Sequence, residues 1–196
     1  MSNPELAAQV QALLPARRGH FRLESGHHGE LWLELERLFL RPAAIQPLAA
    51  ALARDLLPHQ IEVVCGPLIE GAFLATMVAQ ALDVPFTYSE PRASSRGGLF
   101  PVDYPLPAGL HQVLAGRRVA VVNDVINAGS AVRGTLASLR TCGARPVAMA
   151  ALAVLGTDAD RLAAEADLPL EALARLPNQL WLPEECPLCA RGVPLT

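Results

Sequence analysis

A chain of 196 residues, 52% of them hydrophobic, is long and apolar enough to bury a core without a disulfide or metal staple, and lies far from the composition of a disordered segment. Its net charge of −3 arises from 16 basic and 19 acidic residues with no clustered basic patch, which argues against nucleic-acid binding. No apolar run reaches the roughly 18 residues of a membrane span, and the opening Met1–Pro15 stretch lacks the basic and apolar regions of a signal peptide, so a cytoplasmic protein with no membrane partner is expected.

Leu6, Val10, Leu13 and Leu14 recur at helical spacing before Pro15, which ends a first helix over 3–14. Phe21–Leu23 and Leu31–Leu35 alternate like two strands around the polar turn Ser25–Gly29. Pro42 opens an amphipathic helix that runs to about Leu57. A short apolar strand, Ile61–Cys65, leads into Gly66-Pro67; a helix over 70–82 and a strand over Val84–Tyr88 follow. Residues 89–110 hold turn formers and no period, and a connection that long is usually functional. Val119–Asn123 reads as a buried strand, 130–142 as a helix stopped by Gly143, and Pro146–Leu155 as a long apolar strand. The Pro-rich tail over 168–196 carries a short helix and an edge strand around Leu180–Leu182. Strands alternating with helices from 43 to 155 predict an α/β fold with a mostly parallel sheet.

Two compositional features constrain the chemistry. All 16 basic residues are arginine, so any role of a lysine ammonium is absent or moved to arginine. Cys65, Cys142, Cys186 and Cys189 read as reduced structural thiols. Cys186-Pro-Leu-Cys189 is a single CxxC, which needs two more ligands to hold zinc, and the nearest histidine in sequence, His111, is far away.

The informative segment is Arg118–Arg133. A buried strand ends at Asn123-Asp124, a loop with Gly129 and Ser130 follows, and a helix begins at once. This order sets polar groups at the carboxyl edge of a parallel sheet, and backbone N–H groups at the helix start can hold a phosphate without lysine.

Val119–Ser130 resembles the fingerprint of the type I phosphoribosyltransferases: a hydrophobic strand, an acid pair, and a small-residue loop ending in Gly-Ser. Gly19–His28, Val64–Gly71 and the ending Pro183–Leu195 extend the likeness to the orotate phosphoribosyltransferases over nearly the whole chain. The resemblance implies an α/β phosphoribosyltransferase fold in a single domain over 1–196, a mostly parallel twisted sheet flanked by helices. A small hood is expected from about 15–42 and 168–196. It implies transfer of phosphoribosyl from phosphoribosyl pyrophosphate (PRPP) to a nucleobase, orotate expected, in a homodimer. Mg²⁺ is the implied cofactor, held through PRPP and water rather than directly by protein side chains. The matching positions give Asn123, Asp124, Val125, Ile126, Asn127, Ala128, Gly129, Ser130 and Ala131 as the PRPP loop. Gly66, Pro67, Leu68, Ile69, Glu70 and Gly71 form the pyrophosphate turn. Asn127 is implied at the base, His28 near a phosphate, and Asp124, Arg92 and Arg96 in catalysis, the arginines from a closing loop over 89–105.

Four departures from the pattern bear on activity. Asn123 replaces an acid, Arg92 and Arg96 stand in for a loop lysine, Glu70 occupies the pyrophosphate turn, and Ala150–Gly156 lacks an Asp-Arg pair that helps hold the base. The alternative function is therefore a weak or inactive paralogue that binds PRPP or a nucleotide as a regulator. Of the remaining residues, Trp32 and Trp181 read as core, His27 as a solvated turn residue, and Arg133 as a candidate ligand.

Overall fold

The computed structural model describes residues 3–94 and 98–196. In chain order the elements are α1 (Pro4–Leu13), β1 (Ala16–Arg22), β2 (His28–Leu33), α2 (Pro42–Leu56), β3 (Val63–Pro67), α3 (Glu70–Leu82), β4 (Phe86–Ser89), β5 (Arg92–Ala93), β6 (Val102–Asp103), α4 (His111–Leu114), β7 (Arg118–Ile126), α5 (Ser130–Thr141), β8 (Arg145–Leu155), α6 (Asp158–Ala166), β9 (Leu170–Leu176), β10 (Leu180–Trp181) and α7 (Pro187–Ala190). None of the described helices is long and apolar enough to cross a membrane.

The main sheet has the order β4-β3-β7-β8-β9, and all four pairings are parallel. Its three inner strands, β3, β7 and β8, are largely buried on both faces, as their continuous apolar runs require. Ala120 and Val122 of β7 pack in one layer with Ile45, Leu52 and Leu74 of α2 and α3. Val119 and Val121 pack in the other with Leu136, Leu139 and Leu162 of α5 and α6. Helix α2 keeps Pro42 in its first turn, where the missing N–H costs no helical bond. Helix α3 matches the expected 70–82 at both ends and stops at Asp83, which takes a left-handed conformation.

Three expectations need correction. Strand β7 does not end at Asn123-Asp124 but runs on to Ile126, because Val125 and Ile126 pair with Ala153 and Val154 of β8. The 168–196 tail is not wholly separate from the main sheet, since β9 closes that sheet's edge beside β8. The 89–110 stretch carries secondary structure: Arg92 pairs with Asp103 and Ala93 with Val102 in two short antiparallel strands. The Phe100 N–H then donates to Ser25 O at 2.9 Å.

A second, three-stranded sheet with the order β1-β2-β10 is antiparallel. It joins an early hairpin to a segment near the other end of the chain, with Trp181 opposite His28. The edge strand expected at 180–182 is therefore present, and it belongs to this smaller sheet.

Candidate functional site

Strand β3 has its sequence successor β4 on one side and β7 on the other, so the strand order reverses between β3 and β7. In open parallel sheets the carboxyl ends of the two strands at such a reversal splay their loops apart and leave a crevice. The turn after β3 and the loop after β7 flank this crevice, and both line one cleft of about 290 Å³. Of the expected residues, Pro67, Leu68, Ile69, Glu70 and Gly71 and the whole run from Asn123 to Ala131 line it. Gly66 lies in β3 just beneath, where a Cβ would meet Ala75 Cβ and Gly71 O at 2.6 Å.

The loop after β7 is shaped by its small residues. Gly129 has φ +77°, and a Cβ there would stand 2.9 Å from Leu162 Cδ2. Glycine at this position turns the chain sharply from β7 into α5, whose first-turn amides have no helical partner and border the cleft. Gly71 lies against the facing loop, and a Cβ on it would overlap Asn123 Oδ1. Asn123 Nδ2 donates to Val125 O at 2.8 Å, so its amide clamps the end of β7 while its oxygen faces the turn after β3. A carboxylate at 123 would set an acceptor against that carbonyl, which gives a local reason for asparagine here.

Asp124 is buried, and its Oδ2 has no hydrogen-bond partner among the described residues. Burial, reinforced by the Glu70 charge, pushes its carboxyl up to about 7 against the pull of the Val125 and Asp124 backbone amides. An acceptor buried without a donor beside a cleft marks Asp124 as a candidate ligand contact.

Sequence reasoning missed the opposite wall. Glu24, Ser25, Leu31, Trp32, Leu33 and Tyr104 complete the cleft. The Tyr104 hydroxyl donates to both Glu24 oxygens at 2.9 and 2.8 Å, and Ser130 Oγ donates to Glu24 Oε1 at 3.0 Å. Burial and the Glu24 charge raise the Tyr104 hydroxyl far above the ordinary phenol range. The Glu24 carboxylate thus already sits at the start of α5. No local motif marks Glu24 or Tyr104, because they meet only when the small sheet and the β6 segment fold over the main sheet. Trp32, expected in the core, is a wall residue of the cleft.

Other expected residues lie elsewhere. His28 does not face the cleft; it is buried against His20, with Nδ1 3.1 Å from His20 Nε2, because β2 turns its side chain toward the chain's tail. Arg92, in β5, pairs with Glu90 at 3.0 Å and does not line the cleft. Arg96 lies outside the described residues. Arg133 binds Glu165 at 2.9 Å and stacks over Phe100, also away from the cleft. His27 is half-buried, with its ring 5.8 Å from that of Phe100. Asn127 Oδ1 accepts from Asn178 Nδ2 at 3.0 Å, which steadies the loop from the β9 side.

Among the described residues, then, the lining holds three carboxylates, Glu24, Glu70 and Asp124, and no lysine or arginine. Donors able to meet an anion here include backbone N–H groups, the Ser130 hydroxyl and the Asn123 amide.

A parallel α/β sheet with two loops facing each other across its point of strand reversal places the chain among the open α/β proteins that bind ligands at that crevice. Residues 32–169 match the family described as the phosphoribosyl transferase domain, and the chain belongs to that family. It is 31% identical to the orotate phosphoribosyltransferase of Caldanaerobacter subterraneus over 91% of this chain and 87% of the relative. It is 32% identical to that of Thermotoga maritima over 97% of this chain and 93% of the relative. The crystal structure of orotate phosphoribosyltransferase from Aeropyrum pernix superposes with a TM-score of 0.63 at 26% identity, covering 87% of this chain and 93% of that one. Adenine phosphoribosyltransferase from Trypanosoma brucei, at 18% identity, shares the fold with a TM-score of 0.69 over 87% of this chain and 79% of that one.

Proposed function

We propose that the protein transfers a phosphoribosyl group from PRPP to a nucleobase, with orotate as the base. The observation that carries this reading is the convergence of the 66–71 turn and the 123–131 loop on one cleft at the strand reversal. In this reading the Gly129–Ala131 amides and Ser130 hold the 5′-phosphate, the turn after β3 holds the diphosphate, and Asp124 and Asn123 accept from and donate to the ribose hydroxyls. Asn127 flanks the base. The small sheet acts as a hood that excludes water from the ribosyl centre as the bond to pyrophosphate breaks. Arg92 and Arg96 belong to the 89–105 stretch that the family resemblance implies as a closing loop, and in this reading they stabilise the leaving charge.

The acidic lining bears on the cofactor. A polyanion meeting three carboxylates, with no basic side chain among the described lining residues, is repelled, so it binds best as a complex with a divalent cation. In this reading Mg²⁺ would be held through PRPP and water, beside the carboxylates of Glu24, Glu70 and Asp124 in the lining. When bound, Mg²⁺ neutralises the diphosphate charge.

A homodimer is proposed on an exposed apolar patch. Ile69 and Phe73 are 57% and 50% exposed one turn apart at the start of α3, and Phe73 stacks edge-on with Phe39 next to exposed Leu40. The four free thiols suit a reducing cytoplasm.

A second reading, a slow paralogue that chiefly binds PRPP or a nucleotide, is favoured by the same acidic lining and by the Glu24 carboxylate seated on Ser130. Pyrophosphate release from PRPP and Mg²⁺, assayed with orotate, uracil and purine bases, separates the two. Release with orotate alone, at a few per second or more, supports the transferase. Heat of PRPP binding without release supports the regulator. Neither binding nor release overturns both. Light scattering checks the dimer.

A further inference from the structure

We propose that His20, His28, Cys186 and Cys189 form a tetrahedral zinc(II) site that clamps the chain's tail to the small sheet. The four ligand atoms lie within 4.8 Å of one another, although two come from β1 and β2 and two from the segment around α7. Three of the four residues are almost fully buried: His20 at 1%, Cys186 at 2% and His28 at 6% exposure.

The distances have the dimensions of a coordination shell. A tetrahedron with zinc–nitrogen bonds near 2.0–2.1 Å and zinc–sulfur bonds near 2.3 Å has N···N edges of about 3.3 Å and N···S edges of about 3.6 Å. Here His20 Nε2 lies 3.1 Å from His28 Nδ1, 3.4 Å from Cys186 Sγ and 3.7 Å from Cys189 Sγ. Cys189 Sγ lies 3.3 Å from His28 Nδ1. Four soft or borderline donors in this arrangement select zinc among the common divalent ions, and a complete set of four protein ligands makes a structural site.

The surroundings orient the ligands. His20 Nδ1 lies 2.7 Å from Val193 O. A carbonyl can only accept, so Nδ1 carries the ring proton and Nε2 turns a lone pair into the cluster, the arrangement typical of metal-bound histidine. Cys186 sits just before α7 and Cys189 one turn on, where Ala190 N donates to Cys186 O at 3.1 Å and Gly192 N to Cys189 O at 2.9 Å. This tight turn directs both thiols to one point. Binding converts two thiols to thiolates and releases their two protons to solvent, with no change of oxidation state.

None of the four residues lines the cleft, so the site stands whatever base the protein uses. It joins β1 and β2, whose Leu31, Trp32 and Leu33 wall the cleft, to the chain's tail.

The test is metal content and spectroscopy on the full chain, purified under reductant without chelator. Mass spectrometry of metals should find about one zinc per chain. Apoprotein titrated with Co²⁺ should develop the intense visible bands of tetrahedral cobalt and a near-ultraviolet thiolate charge-transfer band, both saturating at one equivalent and bleached by Zn²⁺. Cys189→Ser, at the most exposed ligand, should lose the charge-transfer intensity in part and weaken zinc retention at least tenfold. Reduced wild-type protein that retains no zinc after desalting and gives only weak octahedral cobalt bands overturns the site. Undiminished zinc and an unchanged cobalt spectrum in Cys189→Ser overturn it as well. Should the variant fail to fold, the wild-type cobalt spectrum decides alone.

Discussion

Asp124 concentrates the conflict between stability and ligand binding in one side chain. A carboxyl whose folded value is raised from 3.8 to about 7 is most stabilising when protonated, so its contribution is full below pH 3.8 and is lost as pH climbs through 7. Asp124→Asn removes that penalty. In the absence of ligand the variant is expected to exceed the wild type by up to about 4 kcal/mol at pH 8, with the gap closing toward pH 4, as read by denaturant unfolding at the two pH values. Ligand affinity should move oppositely. PRPP with Mg²⁺ is expected to bind the wild type more tightly as pH rises through about 7, where the acceptor becomes charged, and Asp124→Asn should flatten that profile in calorimetry. Glu24 poses a simpler problem. Its carboxylate stands on Ser130 at the start of α5, and like charges about 4 Å apart in water repel by about 1 kcal/mol. Glu24→Gln should therefore tighten pyrophosphate binding about fivefold, and unchanged affinity would show that Glu24 swings clear.

At the scale of elements, the loop after β7 depends on its glycine. Gly129→Ala introduces a Cβ 2.9 Å from Leu162 Cδ2 at a positive φ. A left-handed conformation alone costs about 1–2 kcal/mol for a non-glycine residue, so thermal unfolding should shift down. PRPP affinity should fall by more than tenfold, because the α5 amides lose their aim. This loop and α3 were legible in the sequence because their signals are local: a β-branched run, a glycine, a helix start, a stop. Strand β9 was not. Leu-Glu-Ala-Leu-Ala-Arg-Leu is built of good helix formers, and only the exposed edge of β8 makes it a strand. Helix α6 carried readable signals in its early acids, Asp158 and Asp160, and in buried Ala159 and Leu162 on one face. The base pocket also looks different in three dimensions. Leu155 of β8 lines the cleft, whereas Val154 packs in the apolar layer with Leu136 and Leu162. Of the two positions, 155 borders the cleft, while 154 is fully buried among apolar side chains, where an aspartate would be costly.

For the whole molecule, two walls of different origin meet at the cleft. The floor comes from consecutive β-α units, and residue order alone places it at the strand reversal. The opposite wall comes from pairings across nearly the full chain, such as Trp181 with His28, and no window of sequence contains both partners. That is why Asn123–Ala131 were found and Glu24, Tyr104 and the four-residue His/Cys cluster were not.

The same separation fixes a time order. Closing a loop that spans most of the chain carries an entropic cost that must be met before the contact rewards it. The main-sheet pairings span less of the chain: Val119 of β7 pairs with Pro146 of β8 across a single helix, and Val63 of β3 with Val119, whereas Gly29 must meet Leu180. During synthesis the floor can assemble while the tail is still on the ribosome, but β10 cannot join β2 until residues 180–181 have emerged. The protein should therefore pass through an intermediate with a finished sheet and an open cleft. Pulse-labelled hydrogen exchange during refolding is expected to protect amides of β7 and β8 before those of Gly29 and Trp181, and simultaneous protection would show that both sheets form in one step. Until that last pairing forms, water reaches the cleft freely, so ligand binding should appear only with the slowest folding phase.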